Sequence, residues 1–338
     1  MAQFLCWALV SSTHNTNVWM FIPCLMDDVM KMKDLHIETP LFESRALSVH
    51  SGRTILLKLE TMQPPGSFKI RGIGLACQEY LRRGAKRFIS SSGGNAGIAV
   101  AYAGRLLSVP VVVVVPQTTS ERAKALIQVE GAEVVVHGDS WQEANALALS
   151  MVKASDSFLH PFDDPLIWQG HASIVDEVVQ SSIKPDAMVL SVGGGGLLCG
   201  VLEGLHRNGW TDVPVIAVET QGADSFAQSV EGGRRIELPS ISSIATSLGA
   251  RQVCEQAFNW SKKHPITSLV VSDQTAIAAC DRFLVDHRVV VEPACGASLA
   301  TIYDGVAALD GFKSVLVVVC GGATTTVEQL QQWTRKLA

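Results

Sequence analysis

From Thr54 onward, the chain alternates short runs of β-branched and aliphatic residues with longer stretches of helical periodicity. Val111–Val115 is a run of five valines, and Ser314–Val319 is apolar after its first residue. Such continuous apolar runs are typical of strands that are covered on both faces. Helical patterns lie between the runs, as at Ser67–Arg83. Parallel strands need long crossovers, usually helices, so the alternation predicts an α/β fold with parallel sheets.

The length of 338 residues predicts about two domains at roughly 150 residues each. A break in composition lies at His160–Pro165, where two prolines indicate a crossing between domains. The first 30 residues contain no lysine or arginine, which excludes the basic region of a secretory signal and an arginine-rich transit peptide. We expect residues 1–30 to form a poorly ordered N-terminal extension.

Composition excludes several classes of protein. A hydrophobic content of 47% is too high for a disordered chain, and a net charge of −5 without a basic block argues against nucleic-acid or membrane partners. No apolar run reaches the roughly 18 residues of a membrane-spanning helix. The eight cysteines form no C-x-x-C pair, and no histidines cluster as metal ligands do. We therefore expect reduced thiols and a cytoplasmic protein.

Four consecutive glycines, Gly193–Gly196, follow a predicted strand and open a predicted helix. Glycines let backbone N–H groups approach an anion closely, and a helix N-terminus adds positive potential. The pattern therefore indicates a phosphate site, although a tight turn between strand and helix is the alternative. The run is not a P-loop, because no Lys-Ser/Thr pair follows the glycines.

Two further loops lie between a predicted strand and a helix. Ser91–Gly97 combines hydroxyls, bare N–H groups and an amide at a helix start, which suits a substrate carboxylate or plain helix capping. In Gln63–Gly72, Lys69 stands in the first helical turn. The positive potential there favours its neutral, nucleophilic amine. The alternative is a solvated surface lysine.

Together these segments resemble a known family. The motifs Gly-Ser-Phe-Lys-Ile-Arg-Gly (66–72), Ser-Ser-Gly-Gly-Asn-Ala-Gly (91–97), Gly-Gly-Gly-Gly-Leu (193–197) and Val-Cys-Gly-Gly (319–322) occur in that order. In this they resemble the pyridoxal-phosphate-dependent serine/threonine dehydratases of the tryptophan-synthase-β-like fold, fold type II. The nearest likeness is to the short serine dehydratases and serine dehydratase-like proteins. It runs from about Leu35 to the C-terminus.

The resemblance implies two parallel-sheet α/β domains: a large cofactor-binding domain of residues 31–66 plus 163–338, and a small domain of residues 67–162 that carries the lysine and the carboxylate loop. It also implies roles for matching residues. Lys69 would form the Schiff base with pyridoxal 5'-phosphate and act as the catalytic base. The implied cofactor contacts are Phe68, Lys69, Asn95, Gly193, Gly194, Gly195, Gly196, Leu197 and Cys320. The implied substrate contacts are Ser92, Gly93, Gly94 and Asn95. The resemblance further implies a monovalent cation, with K⁺ as the candidate, bound by Glu219, Ala223, Ser225, Gly193, Leu248 and Ala250.

The function implied is an ammonia-lyase that converts L-serine to pyruvate, or L-threonine to 2-oxobutanoate, in a homodimer. Competing hypotheses are a serine racemase, a weakly active cofactor-binding homologue and, on the glycines alone, a dinucleotide-dependent dehydrogenase. Two departures from the family pattern are Pro65, in place of Ser or Thr, and Gly93, where many members carry Ala. Outside the family context, Cys320 is typical of a small buried apolar residue. Glu292 either orients a helix start or lines the site.

Overall fold

The computed structural model describes residues 33–337, so the predicted N-terminal extension lies outside the described part. The strands are β1 (Leu41–Glu43), β2 (Thr54–Leu59), β3 (Arg87–Ser90), β4 (Val111–Val115), β5 (Glu133–Val136), β6 (Asp156–Phe158), β7 (Ala187–Ser191), β8 (Val215–Thr220), β9 (Ile266–Val271) and β10 (Ser314–Val319). The helices are α1 (Arg45–Ser51), α2 (Lys69–Arg82), α3 (Asn95–Leu107), α4 (Glu121–Val129), α5 (Trp141–Ser150), α6 (Pro165–His171), α7 (Ser173–Gln180), α8 (Gly196–Arg207), α9 (Ser225–Glu231), α10 (Glu255–Trp260), α11 (Asp273–His287), α12 (Pro293–Tyr303) and α13 (Val327–Leu337). Short 3₁₀ helices span Glu60–Met62, Thr246–Leu248 and Ala307–Leu309.

Six strands form one sheet in the order β1-β2-β10-β7-β8-β9. The edge strand β1 is antiparallel to β2, and the other pairs are parallel. Strand β10 lies between β2 and β7, with Val317 opposite both Leu57 and Val189. These three side chains lie on one face of the sheet, and Leu316 and Val318 of β10 lie on the other. All five are fully buried, so both faces of the sheet are covered.

The second sheet has the order β5-β4-β3-β6, and all its strands are parallel. It is built entirely from residues 87–158. Every valine of β4 is buried, as a central strand between two helical layers requires. The predicted α/β class with parallel sheets is therefore confirmed. The domain boundaries inferred from the resemblance remain a prediction.

Local signals explain where several helices begin. The hydroxyl of Ser120 accepts a hydrogen bond from the Ala123 N–H at the start of α4. Ser140 and Glu143 form a capping box at the start of α5. These side chains satisfy N–H groups that have no acceptor within their own helix. The sequence pattern predicts helices that begin at Glu121 and Trp141, and both starts agree with the structure for this reason.

The sequence pattern missed α11 and misplaced α12, and it also missed the short helices α1, α6, α7, α9 and α10. Ser272 caps α11, and its buried face repeats at helical spacing through Ala276, Cys280 and Phe283, so a usable signal was present. The prediction for α12 was Ala297–Ala308, but the helix starts at Pro293 and ends at Tyr303. All its residues are buried, and a helix that is apolar all round shows no periodic edge to mark its ends.

Within residues 33–337, no helix is both long enough and apolar enough to cross a lipid bilayer.

Candidate active site

Lys69 is the first residue of α2, directly after the loop that leaves β2. The loop turns at Gln63–Gly66, where the Gly66 N–H donates to the Gln63 carbonyl at 2.7 Å. Gly66 has φ +79°, and a Cβ there would lie 2.6 Å from the Ala323 Cβ, so this turn requires glycine. The turn delivers Lys69 to the carboxyl end of a parallel strand, where α/β folds place their ligands.

The loop before Lys69 pairs with the segment that follows β10. The Phe68 N–H donates to the Cys320 carbonyl at 3.0 Å, and the Gly322 N–H donates to the Gly66 carbonyl at 3.2 Å. Ser67 and Gly321 form an antiparallel bridge. Two of the four sequence motifs are thus joined by backbone hydrogen bonds, although about 250 residues separate them.

The Lys69 amine lies in an environment that favours its neutral form. Its Nζ donates to the Pro161 carbonyl at 2.8 Å and lies 5.1 Å from the centre of the Phe68 ring. Burial lowers the pKa of Lys69 to about 8, although the negative charge of Glu292 acts in the opposite direction. The positive end of α2 also disfavours the ammonium ion. A lysine with a lowered pKa is a competent nucleophile and base near neutral pH.

The ring of Phe68 is held in place by a buried histidine. Its ring packs edge-on against the His171 ring, with centroids 4.7 Å apart. His171 is fully buried, and its Nδ1 accepts the Gly72 N–H at 3.2 Å. Burial lowers the pKa of His171 well below its usual range, so the ring is neutral. Phe68 therefore offers a rigid apolar surface beside the lysine.

The four-glycine loop connects β7 to α8. Gly195 precedes the helix with φ +92°, and a Cβ there would lie 2.5 Å from the Ala257 Cβ. A Cβ at Gly194 would overlap the Phe162 ring, and one at Gly193 would lie 2.9 Å from the Leu248 Cα. The glycines are therefore required by close packing as well as by backbone conformation. The first N–H groups of α8 have no acceptor in their own helix, as an anion site requires.

The segment after β6 spans the site from the lysine to the glycines. Pro161 accepts the Lys69 hydrogen bond, and the next residue, Phe162, covers Gly194. The Trp168 indole N–H donates to the Phe162 carbonyl at 2.8 Å and holds this segment in place. The sequence marked these prolines as a domain crossing but did not place them at the site.

Asn95 begins α3, and its side chain reaches toward the six-stranded sheet. Its Nδ2 donates to Glu292 Oε1 at 2.8 Å, and its Oδ1 is buried without a partner. Burial raises the pKa of Glu292, although hydrogen bonds from Ser247 and Asn95 and the charge of Lys69 oppose the rise. The Glu292 side chain makes no hydrogen bond to its own helix, which argues against a role in orienting the helix start and leaves a place beside the site as the prediction.

The rest of the Ser91–Gly97 loop is partly exposed at its tip. The Ser92 hydroxyl accepts the Gly94 N–H at 3.3 Å, and the Ser91 hydroxyl donates to Asn145 Oδ1 at 2.7 Å. A Cβ at Gly93 would lie 2.5 Å from Thr119 Oγ1, whereas the space at Gly94 is open. Thr119 thus occupies the volume that an alanine at residue 93 would need.

Cys320 is buried at the end of β10, with its thiol 3.6 Å from the Cys295 thiol. This contact and burial raise the pKa of Cys320 well above its ordinary value, so it stays a neutral thiol. The sequence offered no reason to join these two cysteines. Cys77, Cys199, Cys254, Cys280, Cys295 and Cys320 are all free in the described chain.

The implied cation ligands lie around two adjacent strand ends. Glu219 at the end of β8 accepts the N–H groups of Phe226 at 2.9 Å and Ala227 at 2.7 Å. Burial raises its pKa to about 8. The Ser225 hydroxyl is buried without a partner, and the Leu248 carbonyl accepts the Ala250 N–H at 2.7 Å. In residues 33–337, no three or more His, Cys, Asp or Glu side chains are grouped to hold a metal ion.

These features fit one kind of cofactor. A lysine with a lowered pKa, a flat apolar ring, a glycine cradle for an anion and a neutral thiol converge at the ends of β2, β7 and β10. An aldehyde that carries a phosphate and an aromatic ring would use all four. The unpartnered Asn95 Oδ1 marks a polar group still available to such a ligand.

Residues 32–321 match the model of the family described as "Pyridoxal-phosphate dependent enzyme". The chain belongs to this family. Its members depend on pyridoxal phosphate, which agrees with the chemistry of the site. The predicted cofactor is therefore confirmed, whereas the role of each site residue stays a prediction.

Similar proteins within the family carry related names. The chain is 47% identical over 313 residues to the cattle (Bos taurus) protein named L-serine dehydratase/L-threonine deaminase, covering 89% of this chain and 96% of that protein. It is 46% identical over 311 residues to human serine dehydratase-like, covering 89% and 94%. The crystal structure of the L-serine ammonia-lyase of the fungus Rhizomucor miehei superposes with a TM-score of 0.87 at 35% identity, covering 90% and 99%.

Proposed function

We propose that the protein is a pyridoxal-phosphate-dependent ammonia-lyase that acts on L-serine and L-threonine. L-Serine would lose water and then gain it again during hydrolysis, so that pyruvate and ammonia are released. L-Threonine would give 2-oxobutanoate. The observation that carries the proposal is the partly buried Lys69 amine, held at the first residue of α2 with its pKa lowered to about 8. Relatives at 47% identity that are named for this activity support the choice of substrate.

Lys69 would bind the cofactor covalently and, once displaced by the substrate amine, take the proton from the substrate Cα. Bound pyridoxal phosphate supplies an electron sink for that proton removal. Phe68 would lie against the cofactor ring. The N–H groups of Gly193–Leu197 would hold the phosphate, because glycines at a helix start combine close approach with positive potential. Burial lowers the pKa of the Lys69 amine to about 8, which brings the unprotonated form that a base requires within reach near neutral pH.

The remaining roles concern the ends of the cofactor and the substrate carboxylate. Asn95 would hydrogen-bond the ring hydroxyl, and Cys320 would face the pyridine nitrogen. A neutral thiol would not force a proton onto that nitrogen, which would favour elimination of the substrate hydroxyl over competing reactions at Cα. Ser92, Gly93, Gly94 and Asn95 would receive the carboxylate at the start of α3.

Two supporting proposals concern assembly and ions. We propose a homodimer in the cytoplasm, in line with the family resemblance and the reduced, buried cysteines. We also propose a monovalent cation beside Glu219, Ala223, Ser225, Gly193, Leu248 and Ala250. The unpartnered, buried hydroxyl of Ser225 supports a ligand at that place.

The test combines absorbance and product analysis. The purified protein is titrated with pyridoxal phosphate, and the visible band of a lysine-bound cofactor is recorded. L-Serine is then added, and pyruvate is measured by coupling to lactate dehydrogenase. We expect a yellow wild type that releases pyruvate and a Lys69→Ala variant with neither property. A yellow protein that makes D-serine and no pyruvate would favour the racemase hypothesis, and a colourless wild type would contradict the site assignment.

A further inference from the structure

Glu292 joins parts of the site that belong to different sheets. Its Oε1 accepts the Asn95 Nδ2–H at 2.8 Å, and its Oε2 accepts the Ser247 hydroxyl at 3.0 Å. Asn95 begins α3, which follows β3 of the four-stranded sheet. Ser247 lies in the 3₁₀ helix that packs against Gly193. The Glu292 side chain is only 3% exposed, so one buried carboxylate connects the amide of Asn95 to the border of the glycine loop.

The position of Glu292 does not depend on its carboxylate. It precedes α12, but its side chain makes no capping hydrogen bond. Its N–H donates to the Gly321 carbonyl at 3.2 Å, and its own carbonyl accepts the Cys295 N–H at 2.8 Å. Burying a carboxylate is costly unless its hydrogen bonds compensate. The start of α12 does not use the Glu292 carboxylate. We therefore look for its role in its contacts with Asn95 and Ser247.

The contact with Asn95 has a chemical consequence. Both oxygens of Glu292 accept a hydrogen bond, one from Asn95 and one from Ser247, so the NH₂ end of the Asn95 amide faces Glu292. The Oδ1 end is thereby turned away, where it is buried without a partner. The second N–H and the Oδ1 of the Asn95 amide remain available to a ligand. The amide is held in one orientation, and the flipped orientation, with Oδ1 toward Glu292, is disfavoured. A neutral amide at residue 292 would permit either orientation, because it both donates and accepts.

Glu292 also places a negative charge near the reactive amine. Its charge raises the pKa of Lys69 against the larger effect of burial, and the Lys69 charge in turn lowers the pKa of Glu292. A Cβ at Gly321, next to Cys320, would lie 3.2 Å from Glu292 Oε1. The carboxylate therefore lies beside the segment that carries the proposed partner of the pyridine nitrogen.

We propose that Glu292 is a positioning residue that selects the orientation of the Asn95 amide toward the ring hydroxyl of the cofactor. This inference rests on the proposed function, because it takes the ring hydroxyl as the ligand of Asn95. Glu292 acts through Asn95 and does not itself touch the substrate. Its loss should therefore change how the cofactor is held before any substrate is added.

The test uses Glu292→Gln, which keeps the size of the side chain and removes its charge and its exclusive role as acceptor. Pyridoxal phosphate is titrated into the apo-protein, and the visible band is recorded without substrate. We expect about tenfold weaker cofactor binding, the effect of one lost oriented hydrogen bond, and a shifted band maximum. Glu203→Gln is the matched control, because Glu203 is a partly buried carboxylate on α8 with Arg207 as its charged neighbour. This control should keep the wild-type band and affinity.

A double-mutant cycle separates positioning from a direct charge effect. Asn95→Ala alone should weaken cofactor binding and shift the band, and adding Glu292→Gln to it should change neither further. A second tenfold loss in the Asn95→Ala background would overturn the proposal. If Glu292→Gln fails to fold, Glu292→Asp takes its place, since a carboxylate one methylene shorter no longer reaches Asn95. An unchanged band in Asn95→Ala would be equally contradictory.

The same measurements distinguish this inference from the proposed function. A wild type that forms no band with pyridoxal phosphate would contradict both. A wild type that forms the band and releases pyruvate, beside a Glu292→Gln variant with wild-type affinity and band, would contradict this inference alone.

Discussion

The chemistry of Lys69 follows from its immediate surroundings. Solvation normally keeps a lysine charged up to its ordinary pKa of 10.5, and burial at the start of α2 removes much of that solvation. The folded apo-protein therefore stores an unfavourable charge at neutral pH. The burial that makes this ammonium ion unfavourable also makes the neutral, nucleophilic amine more accessible.

The stability of the apo-protein should show this cost directly. In the folded state the pKa of Lys69 is about 8, against about 10.5 when unfolded. Between these values the unfolded chain binds more protons, so this residue's unfavourable contribution is complete below pH 8 and disappears as the pH rises to 10.5. We expect Lys69→Met to raise the free energy of unfolding by about 2 kcal/mol at pH 7, and by much less at pH 10. Urea unfolding at pH 7 and pH 10 measures this difference in stability between the variant and the wild type. An equal increase at both pH values would contradict the lowered pKa of Lys69.

Gly93 and Thr119 form a second pair at the scale of single residues. A Cβ at Gly93 would lie 2.5 Å from Thr119 Oγ1, so Gly93→Ala should overpack the loop and cost about 1–2 kcal/mol of stability. Thr119→Ala removes the obstructing atoms, so the double variant should recover most of the loss. Gly94→Ala is the matched control, because its Cβ would meet nothing within 4 Å. Chemical denaturation compares the variants; similar losses at Gly93 and Gly94 would refute the steric explanation.

At the scale of elements, the site is assembled from strand ends and the helices that follow them. Helices α2, α3 and α8 follow β2, β3 and β7, and each begins at a proposed site residue or beside one. Parallel strands bring their carboxyl ends to one edge of a sheet, so loops that are distant in the chain meet there. The segment at Pro161–Phe162 then spans the lysine and the glycine loop.

The glycine loop should respond to substitution in two distinct ways. Gly194→Ala collides with the Phe162 ring, whereas Gly195→Ala is also strained by φ +92°. Both should weaken pyridoxal phosphate binding by about tenfold or more, since each displaces N–H groups proposed to hold the phosphate. Phe162→Ala should restore part of the affinity to Gly194→Ala and none to Gly195→Ala. Spectroscopic titration of the apo-proteins with pyridoxal phosphate measures the affinities. If Phe162→Ala restored affinity to both glycine variants, or to neither, the two substitutions would not act in the different ways described here.

At the scale of the whole molecule, a buried ionic network joins elements that the sequence leaves far apart. Arg71 of α2 donates from Nε to Glu60 at 2.7 Å and from Nη2 to Glu177 of α7 at 2.8 Å. Lys58 of β2 pairs with the same Glu177. Two cations and two anions balance there, and Arg71 and Glu60 are fully buried. The network fixes α2, and with it Lys69, against the six-stranded sheet.

Breaking this network should cost far more than breaking an exposed pair on the same helix. Arg71→Met leaves Glu60 buried without its main partner, so we expect a loss of about 3–5 kcal/mol in the free energy of unfolding. Arg82→Ala removes an exposed pair with Glu79 and should cost less than about 1 kcal/mol. Guanidinium unfolding of both variants measures the contrast. Comparable losses would mean that burial of the network does not matter.

Much of the architecture could be predicted because it depends on neighbours in the chain. The five valines of β4 and the bounds of α3 follow from local periodicity and turn residues. The sheet edge β1 and the weakly patterned β9 were missed, since short or partly exposed strands carry little signal. The buried helix α12 was misplaced for the opposite reason, as it is apolar on every side.

The sequence by itself determined the α/β class, the loops at the strand ends and Lys69 as the candidate reactive lysine, because these depend on residues a few positions apart. Only the tertiary structure decided which groups meet. Asn95 and Glu292 are separated by 197 positions, Arg71 and Glu177 by 106, and Cys295 and Cys320 by 25. Side-chain contact over such separations is set by how helices and sheets pack, and that packing depends on the whole core rather than on any local pattern.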